Sequence, residues 1–194
     1  MAPPSTPAVT STGRDGHETA PMVAGIRATR SEESPVLQLI ERRAGERFRE
    51  VGLDHIADDE PVAAELLAEY AAAGRSWVAV DDDDHPVGYV LVDEVDACAH
   101  IEQVSVHPSY QGIGIGRALV EHVRAWAAHE GRAAVTLTTF AAVPWNAPLY
   151  AHLGFVVLSD TEIGPELRAV RDIETERGID REMPRVCMKL ALRE

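Results

Sequence analysis

Apolar residues recur along the chain with two different periods, and these periods predict where helices and strands lie. A spacing of three and four from Leu37 to Val51 predicts an amphipathic helix over 34–51. Helices are also predicted over 60–73, 146–153 and 165–177, and from the glycine-rich stretch 111–116 to a point before Gly131.

Strand-like segments lie between these helices. Strands are predicted over 23–28, 77–80, 86–92, 100–106, 133–138, 155–158 and 186–192. Strands that alternate with helices predict an α/β or α+β domain around a mixed sheet. The acidic run 81–84 predicts a solvated hairpin tip, because a calcium loop needs alternating ligands and a distal Glu.

Length and composition indicate one domain and a tail. The 194 residues are 45% hydrophobic, which is enough to bury a core and excludes a wholly disordered chain. Residues 1–21 are rich in Pro, Ser and Thr without periodicity and are predicted to be disordered, leaving 22–194 as the domain. No signal peptide and no membrane-spanning apolar run is recognised, so a cytoplasmic location is expected.

Charge and cysteine content exclude several classes of function. A formal net charge of -14 without a basic stripe disfavours binding to nucleic acid or to an anionic membrane. Cys98 and Cys187 lack the spacing of a disulfide framework or a cysteine zinc site. No His, Asp or Glu set has ligand spacing, so no metal is expected.

The glycine-rich stretch 111–116 follows a predicted strand and opens a predicted helix. This order directs several backbone N–H groups and the positive end of the helix dipole to one place, which suits a pyrophosphate. A purely structural turn fits the glycines as well. A Walker loop is excluded because no Gly-Lys-Ser/Thr follows. A dinucleotide site is excluded because the next strand ends in Thr138, Thr139 and Phe140 without a carboxylate.

Two motifs carry a resemblance to a known family. Gln111-x-x-Gly114-x-Gly116, preceded by Val106-His107-Pro108, resembles the acetyl-CoA pyrophosphate motif of the GNAT N-acetyltransferases, and 146–155 resembles a later motif of that family. The resemblance implies a mostly antiparallel twisted sheet of about six to seven strands, flanked by helices, with a splayed central parallel pair. It implies transfer of an acetyl group from acetyl-CoA to a primary amine of a small molecule or peptide.

The resemblance also implies which residues contact acetyl-CoA. Backbone groups of Val104, Ser105 and Val106 would meet the thioester, those of Gln111, Gly112, Ile113, Gly114, Ile115, Gly116 and Arg117 the pyrophosphate, and Asn146 the pantetheine arm. Arg117 as a solvated first-turn residue and Asn146 as a helix N-cap remain alternatives.

By resemblance, Tyr150 is the general acid that protonates the CoA thiolate, although its spacing also fits a core aromatic residue. Glu102 is the candidate base, with an ordering or arginine-pairing role as the alternative. His100 is a second candidate, or only a polar strand residue. His100, Glu102 and Val104 share a face unless a bulge intervenes. His107 is interpreted as a turn residue.

Several questions stay open at this stage. Acceptor specificity is assigned to the two early helices, to 140–145 and to the insert 159–184 before the last strand. Trp145 fits either an acceptor pocket or loop packing, and the insert fits either a cleft cap or a homodimer contact. A non-catalytic acyl-CoA sensor and an acyltransferase that uses another acyl-CoA are the competing functions. The sequence does not name the acceptor.

Overall fold

A seven-stranded sheet forms the centre of the protein. The computed structural model describes residues 23–192, so the predicted tail over 1–21 lies outside the described residues. The strand order is β1-β2-β3-β4-β5-β7-β6, and only β4 and β5 are parallel neighbours. This confirms the predicted mixed, mostly antiparallel sheet. The strands are β1 (Gly25–Ala28), β2 (Ser76–Val80), β3 (Pro86–Val95), β4 (Cys98–Val106), β5 (Ala134–Phe140), β6 (Val156–Val157) and β7 (Arg185–Ala191).

Helices cover both faces of the sheet. They are α1 (Ser34–Gly45), α2 (Asp54–Ala57), α3 (Ala64–Ala72), α4 (Ile115–His129), α5 (Ala147–His152) and α6 (Pro165–Glu176). Because side chains alternate along a strand, Trp77 and Ala79 of β2 pack with α4, whereas Val78 and Val80 pack with α1 and α3. Helix α6 lies within the predicted insert, between β6 and β7.

The two early helices are shorter than predicted. The first helix ends at Gly45, and the chain continues as a 3-10 turn over Glu46–Val51. Phe48 of this turn packs against Phe140. The second begins only at Ala64. The backbone N–H of Val62, which precedes this helix, donates to the Glu41 carboxylate (3.1 Å). Predicted boundaries at 51 and 60 were therefore wrong.

Two hairpin tips are fixed by aspartates. The acidic run does form a hairpin tip, and its Asp84 also pairs with Arg27 (2.6 Å) and Arg30 (2.7 Å). At the β3–β4 tip, Asp96 is in the left-handed conformation, and its carboxylate accepts the N–H groups of Glu166 (3.1 Å) and Leu167 (3.0 Å). The first turn of α6 is thus capped by a remote residue, which anchors the insert to the sheet.

The parallel pair in the middle of the sheet separates soon after it forms. Strands β4 and β5 are paired at only three positions, the last of which is Ile101 opposite Leu137. Beyond this point β4 stays with β3 and β5 stays with β7. A bulge lies at the same place, since Gln103 and Ile101 face successive β3 residues and Glu102 is the extra one. The splayed parallel pair is confirmed.

An apolar cluster closes the far end of the resulting gap. We call it the end cluster. Its side chains come from three separate segments: the stretch after α1, the end of β5 with the following loop, and the stretch after α6. Its members are Leu53, Phe140 and Val143, with Phe48, Val51, Ile56, Trp145, Ile179 and Met183 packed against them.

Candidate active site

The gap between β4 and β5 opens into a cleft of about 570 Å³. This volume is typical of small-molecule sites, which measure roughly 300–1,000 Å³. The cleft brings together the predicted site residues from β4, the glycine-rich stretch, α5 and Asn146. Two candidates lie elsewhere: Ile113 is 51% exposed outside the cleft, and His100 is buried beside β5.

We call residues 111–116 the glycine loop, and its shape requires glycine at two positions. Gly112 (φ +79°) and Gly114 (φ +94°) are left-handed, a conformation that glycine adopts without penalty. The Gln111 side chain donates to the Val106 carbonyl (2.9 Å), and its backbone N–H donates to Pro108 (3.2 Å). Gln111 therefore fastens the loop to the end of β4, and its own N–H is already used.

The next six backbone N–H groups, those of residues 112–117, donate to no acceptor within residues 23–192. The first N–H bonded across this junction is that of Ala118, which donates to Gly114 (3.0 Å). Unpaired donors at the start of a 15-residue helix, together with its dipole, make a site for an anionic group such as a pyrophosphate. Arg117 lines the same part of the cleft.

The exposed edge of β4 offers further backbone donors. The N–H of His107 donates to Val87 of β3 (2.9 Å). Because N–H directions alternate along an antiparallel strand, the N–H of Ser105 also faces β3, whereas those of Val104 and Val106 face the gap. Two of the three predicted β4 residues thus direct their N–H groups into the cleft.

Glu102 lies at the bulge and is exposed to the cleft. The bulge intervenes here and reverses the side-chain alternation, so His100, Glu102 and Val104 do not share one face. The Glu102 carboxylate has no hydrogen bond or ion pair within the described residues. Desolvation by the surrounding protein raises its pKa, and the nearby Asp93 and Glu174 add to the effect.

Tyr150 is half-buried on α5, with its ring edge-on to Phe155 at 5.6 Å. Its hydroxyl has no hydrogen-bond partner within residues 23–192. Burial raises its pKa to about 12, against the opposing effect of Arg185. Asn146 precedes α5 at the N-cap position, but its side chain makes no capping hydrogen bond. The Asn146 amide therefore remains free toward the cleft that it lines.

His100 is a buried structural residue. It is 1% exposed, and its Nδ1 is 3.0 Å from Thr136 Oγ1. Burial lowers its pKa to about 4, so the ring is neutral at physiological pH. His107, as interpreted, is a turn residue whose ring nitrogen accepts the Ser109 N–H (3.3 Å).

Sequence reasoning missed two residues of the cleft wall. Glu41 of α1 accepts the Tyr89 hydroxyl (2.6 Å) and the Gln103 amide (3.2 Å), which links α1 to β3 and β4. The only indication of Glu41 in the sequence was its position beside the apolar stripe of a predicted helix. The guanidinium of Arg47 lies 3.8 Å from the centre of the Trp145 ring. Nothing in the sequence indicates this contact, because it joins residues almost a hundred positions apart.

Within residues 23–192 no group of three or more His, Cys, Asp or Glu side chains is arranged to hold a metal ion. No helix in the same range is long and apolar enough to cross a membrane.

Comparisons with known proteins agree on one family. Residues 37–155 match the acetyltransferase (GNAT) family. The chain is 33% identical over 102 residues to the peptidyl-lysine N-acetyltransferase YjaB of Salmonella typhimurium, a match that covers 52% of this chain and 65% of the relative. The matches thus span less than two thirds of the length of the curated relatives.

The fold is similar to that of solved structures with lower identity. One is N-acetylglutamate synthase from Neisseria gonorrhoeae, complexed with coenzyme A and N-acetyl-glutamate (TM-score 0.66, 19% identity, 89% of this chain and 36% of that chain). Another is the ribosomal-protein-S18-alanine N-acetyltransferase from Escherichia coli (TM-score 0.61, 18% identity, 88% of this chain and 94% of that chain).

The burial of His100 predicts how the stability of the protein depends on pH. The unfolded chain takes up a proton near pH 6.5, whereas the folded chain resists protonation down to about pH 4. As pH falls through this window, the free energy of unfolding should therefore decrease by about 3 kcal/mol more for the native chain than for His100→Gln, which cannot titrate. Urea unfolding between pH 7.5 and 4 measures the difference. Parallel pH curves for the two proteins would contradict the prediction.

Proposed function

Because the chain belongs to the acetyltransferase (GNAT) family, we propose that it transfers an acetyl group from acetyl-CoA to a primary amine of a small molecule or peptide. The proposal is carried by the unpaired N–H groups at the start of α4, five of which belong to residues that line the cleft together with Tyr150 and Glu102. The coenzyme A bound by the synthase neighbour and the amine acceptors named for the relatives support this chemistry. We propose 22–194 as one catalytic domain.

The cosubstrate would be held mainly by backbone groups. The N–H groups of 112–117 bind the pyrophosphate, and Arg117 adds positive charge. The free Asn146 amide binds the pantetheine arm. The N–H groups of Val104 and Val106 face the gap, where they stabilise the negative charge that develops on the thioester oxygen.

Transfer proceeds by direct attack. At neutral pH the acceptor amine is an ammonium, and the Glu102 carboxylate accepts one of its protons, directly or through water. The lone pair that is freed forms a C–N bond to the acetyl carbonyl carbon, the C–S bond breaks, and the CoA sulfur leaves with the bonding electrons. The second proton that the nitrogen loses passes to the departing thiolate or to water. A raised pKa makes Glu102 a better proton acceptor than an ordinary carboxylate.

Tyr150 acts on the departing sulfur. With a pKa of about 12, its phenol stays protonated and can donate a hydrogen bond. A thiol of the cysteine type has a pKa of about 8.5, so complete proton transfer from Tyr150 to the thiolate is uphill. The main contribution of Tyr150 is therefore the hydrogen bond that stabilises the thiolate as the C–S bond breaks.

The first experiment incubates the protein with acetyl-CoA and a pooled panel of amines, amino acids and peptides, and identifies products by mass spectrometry. An acceptor that gains one acetyl group, with release of free CoA, supports the proposal. Binding of acetyl-CoA without transfer to any acceptor would favour the sensor function instead. A parallel incubation with longer acyl-CoA esters shows whether acetyl is the preferred group.

Tyr150→Phe should lower kcat by about 10- to 100-fold, which corresponds to losing one hydrogen bond to a charged group. The dissociation constant for acetyl-CoA should change little, since the hydroxyl contacts only the reacting sulfur. Tyr70→Phe is the matched control, because the Tyr70 hydroxyl donates to Asp93 (2.6 Å) outside the cleft. An unchanged kcat in Tyr150→Phe would remove this residue from the mechanism.

Glu102→Gln should reduce kcat/KM most at the acidic end of the range in which Glu102 is ionised. The deficit should shrink as pH approaches the pKa of an alkylamine, about 10.4, where the acceptor is neutral without help. In the native enzyme the raised Glu102 pKa places the acidic limb of the pH profile above 4.5. Glu121→Gln on α4 is the surface control. A deficit equal at every pH would assign Glu102 an ordering role.

Gly114→Val should weaken acetyl-CoA binding by at least about tenfold, because a left-handed valine redirects the unpaired N–H groups. Gly131→Val is the matched control. Gly131 is also left-handed (φ +68°), ends the same helix, and has no atom within 4 Å of an added Cβ. Isothermal titration calorimetry compares the two variants. Equal acetyl-CoA affinities would show that the glycine loop is only a structural turn.

A further inference from the structure

Most charged side chains that line the cleft already have partners. Glu41 accepts hydrogen bonds from Tyr89, Val62 and Gln103. The other paired groups are Arg42 with Glu60 (3.2 Å), Asp59 with Arg177 (3.3 Å) and Arg185 with Glu174 (2.9 Å). Of the eight charged side chains in the lining, three have no partner within residues 23–192: Arg47, Glu102 and Arg117.

An unpaired arginine is unusual in this chain. The sequence has 32 Asp and Glu against 18 Lys and Arg, so carboxylates are in excess. Most arginines in the described range pair with one, including Arg43 near the end of α1 with Glu46 (3.1 Å). Arg47 is half-buried and yet makes neither an ion pair nor a hydrogen bond within that range.

The position of Arg47 is fixed by aromatic stacking. Its guanidinium carbon lies 3.8 Å from the centre of the Trp145 ring. Trp145 is itself held by Phe48, with ring centres 6.0 Å apart, and Phe48 packs on Phe140 at 5.7 Å. Stacking satisfies the face of a guanidinium but leaves the N–H groups at its edge unused. Those N–H groups form a rigid fork that matches a carboxylate in a bidentate arrangement.

The proposed function accounts for two of the three unpaired charges. Arg117 stands at the glycine loop, where the pyrophosphate would bind, and Glu102 receives the acceptor's amine. Arg47 lies against Trp145 of the end cluster, where the stretch after α1 meets the β5–α5 loop. The proposed contacts with the cosubstrate do not use Arg47, so its charge is available to the acceptor.

Resting on the proposed function, we propose that Arg47 determines specificity by binding a carboxylate of the acceptor. The acceptor class is then an amine that also carries a carboxylate, such as an amino acid or a short peptide with a free C-terminus. Its amine points to Glu102 and its carboxylate to Arg47.

The test compares acceptor pairs that differ only in the carboxylate, each amino acid or peptide against its C-terminal amide. For the native protein we expect kcat/KM to be about 10- to 100-fold higher for the carboxylate form. Arg47→Met should remove this preference, mainly by raising KM for the carboxylate form. Arg47→Lys should keep part of it, because charge remains without the fork. Arg43→Met, outside the cleft, should keep all of it.

Calorimetry separates failure of this inference from failure of the proposed function. Each acceptor pair is titrated into native and Arg47→Met protein saturated with CoA, so binding is measured whether or not transfer occurs. Carboxylate-dependent binding that Arg47→Met abolishes supports the inference even without turnover. Native protein that binds or acetylates both forms equally overturns it. An Arg47→Met variant that loses only affinity for CoA, with the acceptor preference intact, also overturns it.

Discussion

The separation of β4 from β5 is the constraint from which the site follows. Backbone N–H and C=O groups inside a protein need partners, and β4 loses its partners on one side beyond Ile101. The chain repairs part of this deficit itself, because Gln111 donates to the Val106 carbonyl. The remainder, including the N–H groups of Val104 and of the glycine loop, stays open to the cleft. In the proposed function, acetyl-CoA supplies the acceptors that these N–H groups lack.

A single extra residue gives two neighbours on one strand opposite environments. His100 lies before the bulge, buried beside Thr136, where desolvation keeps its ring neutral. Glu102 lies at the bulge and reaches the cleft, where desolvation instead favours its protonated form. Desolvation therefore keeps His100 neutral in the core and makes the Glu102 carboxylate more basic at the site. Local backbone geometry decides which outcome each residue has.

Local patterns predicted the sheet and the glycine loop, because alternation and left-handed turns are encoded by adjacent residues. Gly112 and Gly114 do adopt positive φ, the conformation that glycine favours. The sequence left the bulge open, since a bulge depends on the pairing of β4 with β3. The contact between Glu41 and the Val62 N–H was not predictable either, because it joins residues 21 positions apart. Which charges remain unpaired could be read only from tertiary contacts.

The end cluster and the sheet hold the cleft together by different interactions. Within the described residues, the stretch after α1 meets the other two segments of the cluster through side chains rather than through strand pairing, and the Arg177–Asp59 ion pair (3.3 Å) adds to this contact. Separating Phe48 from Trp145 exposes apolar surface but breaks no ladder of backbone hydrogen bonds. Separating β4 from β3, or β5 from β7, breaks such a ladder. Local opening at the end cluster therefore costs less free energy than opening within the sheet.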